Sequence, residues 1–166
     1  MKNSIFALIL SVCISAPAFS KTLYSNADST VCLEINGKLL NNCINKYYKV
    51  ELISCNTLLE SKVLQNRKEF KFNLKKNTHY AIRISKKGFV SRLISIYTSV
   101  PKKCSGIYRF QFDTELVPKA ESLKLDKEAL DFPIAIVSFN DEMQCFYYNE
   151  EYTSNIKRQI YLGKDF

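Results

Sequence analysis

Apolar and polar positions alternate with a period of two through much of the chain, most regularly between Glu69 and Ile96. Phe70, Phe72 and Leu74 alternate with Lys71, Asn73 and Lys75, and Tyr80, Ile82 and Ile84 alternate with Ala81, Arg83 and Ser85. The run Lys86-Lys87-Gly88-Phe89 then carries a turn. Successive side chains of a strand point to opposite faces, so this stretch predicts a half-buried antiparallel hairpin whose wet face is basic.

The same reading places strands at about Thr30 to Leu40, Lys49 to Cys55, Glu60 to Gln65, Glu69 to Leu74, Thr78 to Ser85, Val90 to Thr98 and Ile107 to Leu116. The connections carry turn residues: Asn41-Asn42, Asn56-Thr57, Asn66, Lys76-Asn77, Gly88 and the segment from Pro101 to Gly106. Seven short strands at regular spacing with few helical signals predict a mainly β fold, a two-sheet sandwich. In the last strand Tyr108, Phe110 and Phe112 face inward, and Pro118 ends the domain.

Residues 119–132 are polar with scattered leucines and read as a short helix or a crossing linker. Beyond them Ile134 to Phe139 and Gln144 to Tyr148 form a second hairpin around Asn140-Asp141-Glu142. Asn149 then caps a helix with Glu150 and Glu151 in its first turn, Lys157 and Arg158 later and Gly163 at its stop. Tyr152, Ile156 and Ile160 share one face of it.

The first twenty residues change the compartment assigned to the rest. Lys2, the apolar run from Ile5 to Ile14 and Ala18-Phe19-Ser20 before Lys21 read as a cleaved export signal. A run of about 10 apolar residues is too short for the roughly 20 of a spanning helix, and no later segment is long and apolar enough. The organisation expected is therefore a signal peptide over 1–20, a sandwich over 21–118 and an extension over 119–166, in a periplasmic, envelope-associated or secreted protein.

Net charge is +8, unevenly spread: residues 21–118 hold 17 Lys and Arg against 7 Asp and Glu, whereas residues 119–166 hold 6 against 9. A basic body attracts anionic polymers and lipid, and lysines on the wet face of strands also deter stray edge pairing. Beyond Cys13 the cysteines are Cys32, Cys43, Cys55, Cys104 and Cys145, an odd number for an oxidising compartment. Disulfides are expected, a loop such as Cys43 to Cys55 contributing about 3 kcal/mol if closed. One thiol is left over, so a disulfide-linked partner stays open. None sits at a C-x-x-C spacing, which removes the zinc-knuckle and thioredoxin readings.

Catalytic signals are sparse. His79 is the single histidine, there are four glycines, and neither a G-x-S-x-G elbow, a phosphate-cradling loop nor a calcium-loop motif occurs. Asp126, Glu128, Asp131, Asp141, Glu142, Glu150 and Glu151 could serve carboxylate chemistry, although turn and helix-dipole roles account for most of them. Lys46-Tyr47-Tyr48-Lys49 interleaves aromatics with lysines as stacking platforms do, but export argues against nucleic acid. The cluster Phe146-Tyr147-Tyr148 reads either as a recognition surface or as a strand buried under the last helix.

The runs Gly37-Lys38-Leu39-Leu40, Lys49-Val50-Glu51-Leu52, Glu69-Phe70-Lys71-Phe72-Asn73-Leu74 and His79-Tyr80-Ala81-Ile82-Arg83-Ile84-Ser85-Lys86-Lys87-Gly88-Phe89 together resemble the carboxypeptidase regulatory-like domain family over residues 30–117. Arg67-Lys68 stands where that family usually has a glycine, and Ile44 to Tyr48 replaces its G-x-P-L-type approach to the second strand. The resemblance implies a seven-stranded transthyretin-like sandwich and a non-catalytic module that supports docking or surface recognition. The expectation is an exported, non-enzymatic binding or scaffold module without cofactor or metal. It recognises an envelope protein or an anionic envelope polymer through Lys71, Lys75, Arg83, Lys86, Lys87, Tyr47 and Tyr48. The alternative is a small hydrolase of envelope polysaccharide using the carboxylates of the tail.

Overall fold

The computed structural model describes residues 30–40, 47–65, 69–103, 106–122 and 126–162. The expected export signal, Cys43, Cys104 and the stop at Gly163 lie outside them.

Two sheets pack face to face, as the alternation predicts. Strands β1 (Val31–Leu39), β4 (Glu69–Lys75) and β7 (Tyr108–Thr114) make the smaller one in the order β4-β1-β7. The larger sheet contains β2 (Tyr47–Ser54), β3 (Thr57–Gln65), β5 (His79–Ser85), β6 (Arg92–Tyr97), β8 (Ala135–Asn140) and β9 (Cys145–Tyr148). Its order is β3-β2-β5-β6-β8-β9. Phe72, Leu74, Leu33 and Ile35 of one sheet meet Val50, Ile82, Ile84 and Ile96 of the other, each at most 1 % exposed. Burying side chains of this size stabilises by about 1.5–3 kcal/mol each before chain entropy is counted.

The hairpin expected around Glu69 to Ile96 needs one correction. β4 and β5 do not pair: β4 lies beside β1, while β5 lies between β2 and β6. The period of two fixes which side chains face inward but not which strand becomes the neighbour. The chain changes sheets at Lys76-Asn77, where Asn77 adopts a φ of 54° and its N–H donates to the Thr98 carbonyl. The Thr98 hydroxyl, wholly buried, lies 2.7 Å from the Lys75 carbonyl and accepts from the Thr78 N–H, which holds that crossover. The hairpin partner of β5 is β6, reached across Gly88 at a φ of 83°, and β2 pairs antiparallel on its other side.

The second hairpin forms where expected and extends the larger sheet. β8 pairs parallel with β6, through Ile94–Ala135 and Ile96–Val137, and Val137 and Phe146 enter the main core. Residues 119–132 supply two short helices, α1 (Lys119–Ser122) and α2 (Lys127–Asp131), the latter capped by Asp126. Helix α3 (Glu150–Leu162) starts at Asn149, whose Oδ1 accepts from the Tyr152 N–H at 2.8 Å. Its apolar face packs Ile156, Ile160 and Tyr152 against Ala129 and Leu130 of α2. Among the described residues no helix is long and apolar enough to cross a membrane.

Candidate functional site

A cleft of about 860 Å³ opens where the start of β2, the β5–β6 turn and the first helices of the tail meet. Main-chain bonds build it. The Phe89 N–H donates to the Lys86 carbonyl and closes the turn, and the Lys119 N–H donates to the Gly88 carbonyl at 3.0 Å. The Val90 N–H donates to the Val117 carbonyl at 2.9 Å, so α1 is pinned against the turn. Lys119 is thereby carried to Lys86 and Lys87 although more than thirty positions separate them in sequence.

Among the described residues four lysines line the cleft, Lys49, Lys86, Lys87 and Lys119, with Tyr47 exposed beside them and a single carboxylate, Asp131. They are not equivalent. Lys49 Nζ lies 2.6 Å from Glu51 Oε1 and is ion-paired with it. Lys87 and Lys119 are exposed and make no ion pair among the described residues. Lys86 is only 6 % exposed. Its Nζ donates to Tyr48 Oη at 3.0 Å and sits 4.2 Å from the Tyr48 ring centroid and 4.6 Å from that of Phe89. An ammonium so placed is held by ring quadrupoles and one hydroxyl instead of a carboxylate, so its positive charge still reaches the cleft.

The residues expected to form one basic surface are divided among three places. Tyr47, Tyr48, Lys86 and Lys87 do meet at the cleft, but Tyr48 and Lys86 are buried in its wall instead of being displayed. Lys71 and Lys75 are exposed on the smaller sheet, where Lys71 is ion-paired with Glu34. Arg83 is on the outer face of the larger sheet, its Nη1 3.9 Å from Glu51 Oε2. Alternation marks a lysine as wet without saying which outer face it wets, and in a sandwich the two face opposite ways. Lys49 and Lys119 complete the site. Lys49 had a signal, the Lys-Tyr-Tyr-Lys run, whereas nothing in the linker marks Lys119.

Of the groups considered for catalysis, Asp131 lines the cleft, whereas His79, Asp126, Asp141, Glu142 and Glu150 stand apart from it. His79 stacks on Tyr97 at 4.2 Å, and its Nε2 is 2.7 Å from Ser95 Oγ on the outer face of the larger sheet. Among the described residues no carboxylate is hydrogen-bonded or ion-paired to the ring. Asp126 accepts from the Glu128 and Ala129 N–H groups, Glu150 accepts from the Tyr147 hydroxyl, and Asp141 and Glu142 occupy the exposed β8–β9 turn. Among the described residues no three His, Cys, Asp or Glu side chains could share a metal ion. Cys55, exposed at the tip of the β2–β3 hairpin, and Cys145 carry free thiols.

No family model matches the chain, and no curated protein matches it. Among solved structures it is similar to the crystal structure of S.CueP, with 14% identity and a TM-score of 0.32 over 40% of this chain and 52% of that one. The chain thus spans about half the length of that protein, and at this level the likeness says nothing of function.

Proposed function

We propose that the chain is an exported, non-catalytic binding module of the cell envelope that holds an anionic polymer in the lysine cleft. The observation that carries the reading is the convergence of Lys49, Lys86, Lys87 and Lys119 on one cavity with a single opposing carboxylate. Such a site favours a ligand with repeated negative groups, because one exposed ion pair contributes only about 0.2–1 kcal/mol and several must act together. Exposed Tyr47, over a wall that contains the buried ring of Phe89, adds apolar surface for a sugar or an alkyl backbone. The resemblance to carboxypeptidase regulatory-like domains, which imply recognition without chemistry, supports the same reading, as does the signal-like first twenty residues.

The test is binding of labelled polyphosphate and polyglutamate, followed by fluorescence anisotropy at low and moderate salt, with neutral dextran as control. The Lys87→Glu/Lys119→Glu variant should lose about 1–3 kcal/mol, or roughly 5- to 150-fold in affinity. Native affinity should fall as salt rises, since exposed charges are screened beyond about 10 Å at 0.1 M. Equal binding by the variant, or equal binding of dextran, would remove the proposal. Binding of polyglutamate with none of polyphosphate would move it to an acidic partner protein.

A further inference from the structure

A second opening lies away from the lysine cleft, between the β7 edge of the smaller sheet and the β8–β9–α3 end of the larger one. Its volume is about 330 Å³, at the small end of ligand sites. Ile94, Phe110, Phe112, Ile134, Ala135 and Val137 line it. Phe112, Ile134 and Ala135 pack on the main core yet are only partly covered, so the sandwich is left unsealed along this side.

Two polar groups of α3 stand in that wall. Thr153 is only 7 % exposed, and its Oγ1 has no hydrogen-bond partner among the described residues. A buried hydroxyl in this condition is uncommon, because such a group is normally satisfied by protein or ligand. Lys157 follows at i+4, on the same helix face, lines the same groove and makes no ion pair among the described residues. Gln111 and Asp113 form the opposite rim. Tyr147 also lines the groove, but its hydroxyl is committed to Glu150 at 2.9 Å.

We infer that this groove binds a small amphipathic monocarboxylate, its apolar tail among Phe110, Phe112, Ile134 and Val137 and its carboxylate between Thr153 Oγ1 and Lys157 Nζ. A carboxylate suits the pair because it is acceptor-only and takes one donor on each oxygen. Asp113 on the far rim opposes a second negative charge, which sets a single carboxylate above a phosphate. The small volume sets a medium-length chain above a long one.

Titration calorimetry of the full mature chain with octanoate, 1-octanol and octylamine tests this. Octanoate is expected to bind at least tenfold tighter than octanol. Lys157→Gln should erase that preference while leaving octanol unchanged, and Asp113→Asn should strengthen octanoate severalfold. Ala135→Phe, which fills the groove, should abolish binding of both, and Lys87→Glu/Lys119→Glu should leave both as they are, so that this site and the cleft fail independently. Circular dichroism confirms that each variant is folded. Equal affinity for octanoate and octanol, tighter binding of octylamine, no octanoate binding at millimolar concentration, or unchanged binding in Ala135→Phe would each overturn the assignment.

Discussion

Lys86 and Tyr48 offer a sharp test of how the cleft is held, because removing either partner of one contact should have unequal effects. In Tyr48→Phe the ring stays under the ammonium but the hydroxyl 3.0 Å from Nζ is lost. A hydrogen bond to a charged group is worth about 1.5–3 kcal/mol, and here the charge stays buried, so destabilisation by about 2 kcal/mol is expected. Lys86→Met removes the same bond and two ring contacts of about 0.5–2 kcal/mol each. It also removes the cost of holding an ammonium out of water, several kcal/mol per buried ion, and keeps a stem of similar shape. The terms offset, and the expected net change is within about 1 kcal/mol. The double variant should resemble Lys86→Met, which gives a coupling of about 2 kcal/mol across the cycle. Urea unfolding of the protein measures all four free energies. A Lys86→Met loss above about 3 kcal/mol together with a neutral Tyr48→Phe would show that the ammonium is not held this way.

Two other predictions rest on the smaller sheet. At Gly37 a Cβ would fall inside van der Waals distance of the Phe70 ring and 2.8 Å from Phe112 Cζ, so Gly37→Ala should cost about 1–3 kcal/mol by overpacking. Gly37→Ala/Phe112→Leu should recover part of it, and a neutral urea midpoint for the single variant contradicts the packing. The Glu34 carboxyl is held below its ordinary value of 4.5, first by hydrogen bonds from Lys71 and Asn36, with the charges of Lys71 and Arg109 adding to them. A depressed acid stabilises the fold above its unfolded value and loses that contribution as pH falls through the folded one. Thermal midpoints taken from pH 7 downward should therefore fall less steeply below pH 4.5 in Glu34→Gln than in the native chain; parallel curves refute the assignment.

The inward face of the sandwich was legible because burial obeys a period of two, and Phe70, Phe72, Leu74, Tyr80, Ile82 and Ile84 are all at most 5 % exposed. The burial of Lys86 was written in the same rhythm: it stands two positions beyond Ile84, on the inward parity, and its charge distracted from its register. Tyr48 likewise shares parity with Val50 and Leu52, which is why it lies inside while Tyr47 and Lys49 lie outside. Strand partnership was not legible. Whether β4 pairs with β5 or crosses to the other sheet depends on Thr98, a buried hydroxyl twenty positions from the Thr78 N–H it receives. Lys119 reaches the cleft through a main-chain bond to Gly88, which any side chain at 119 could make.

Both openings depend on residues beyond Pro118. The cleft needs Lys119, Ser122, Leu130 and Asp131 for one wall, and the groove takes Ile134, Ala135, Val137, Thr153 and Lys157 from β8, its approach and α3. The alternation that builds the seven strands of the sandwich ends before Pro118, so it supplies a frame while the tail shapes the cavities. The tail has a mechanical reason to be there as well. Without β8, the edge of β6 would present unpaired backbone beside Ile94 and Ile96, an invitation to stray strands. Adding β8 in parallel register covers that edge, and the crossover a parallel connection requires is what lays α1 and α2 across the end of the sandwich. The same covalent route that protects β6 therefore delivers Lys119 to Lys86 and Lys87.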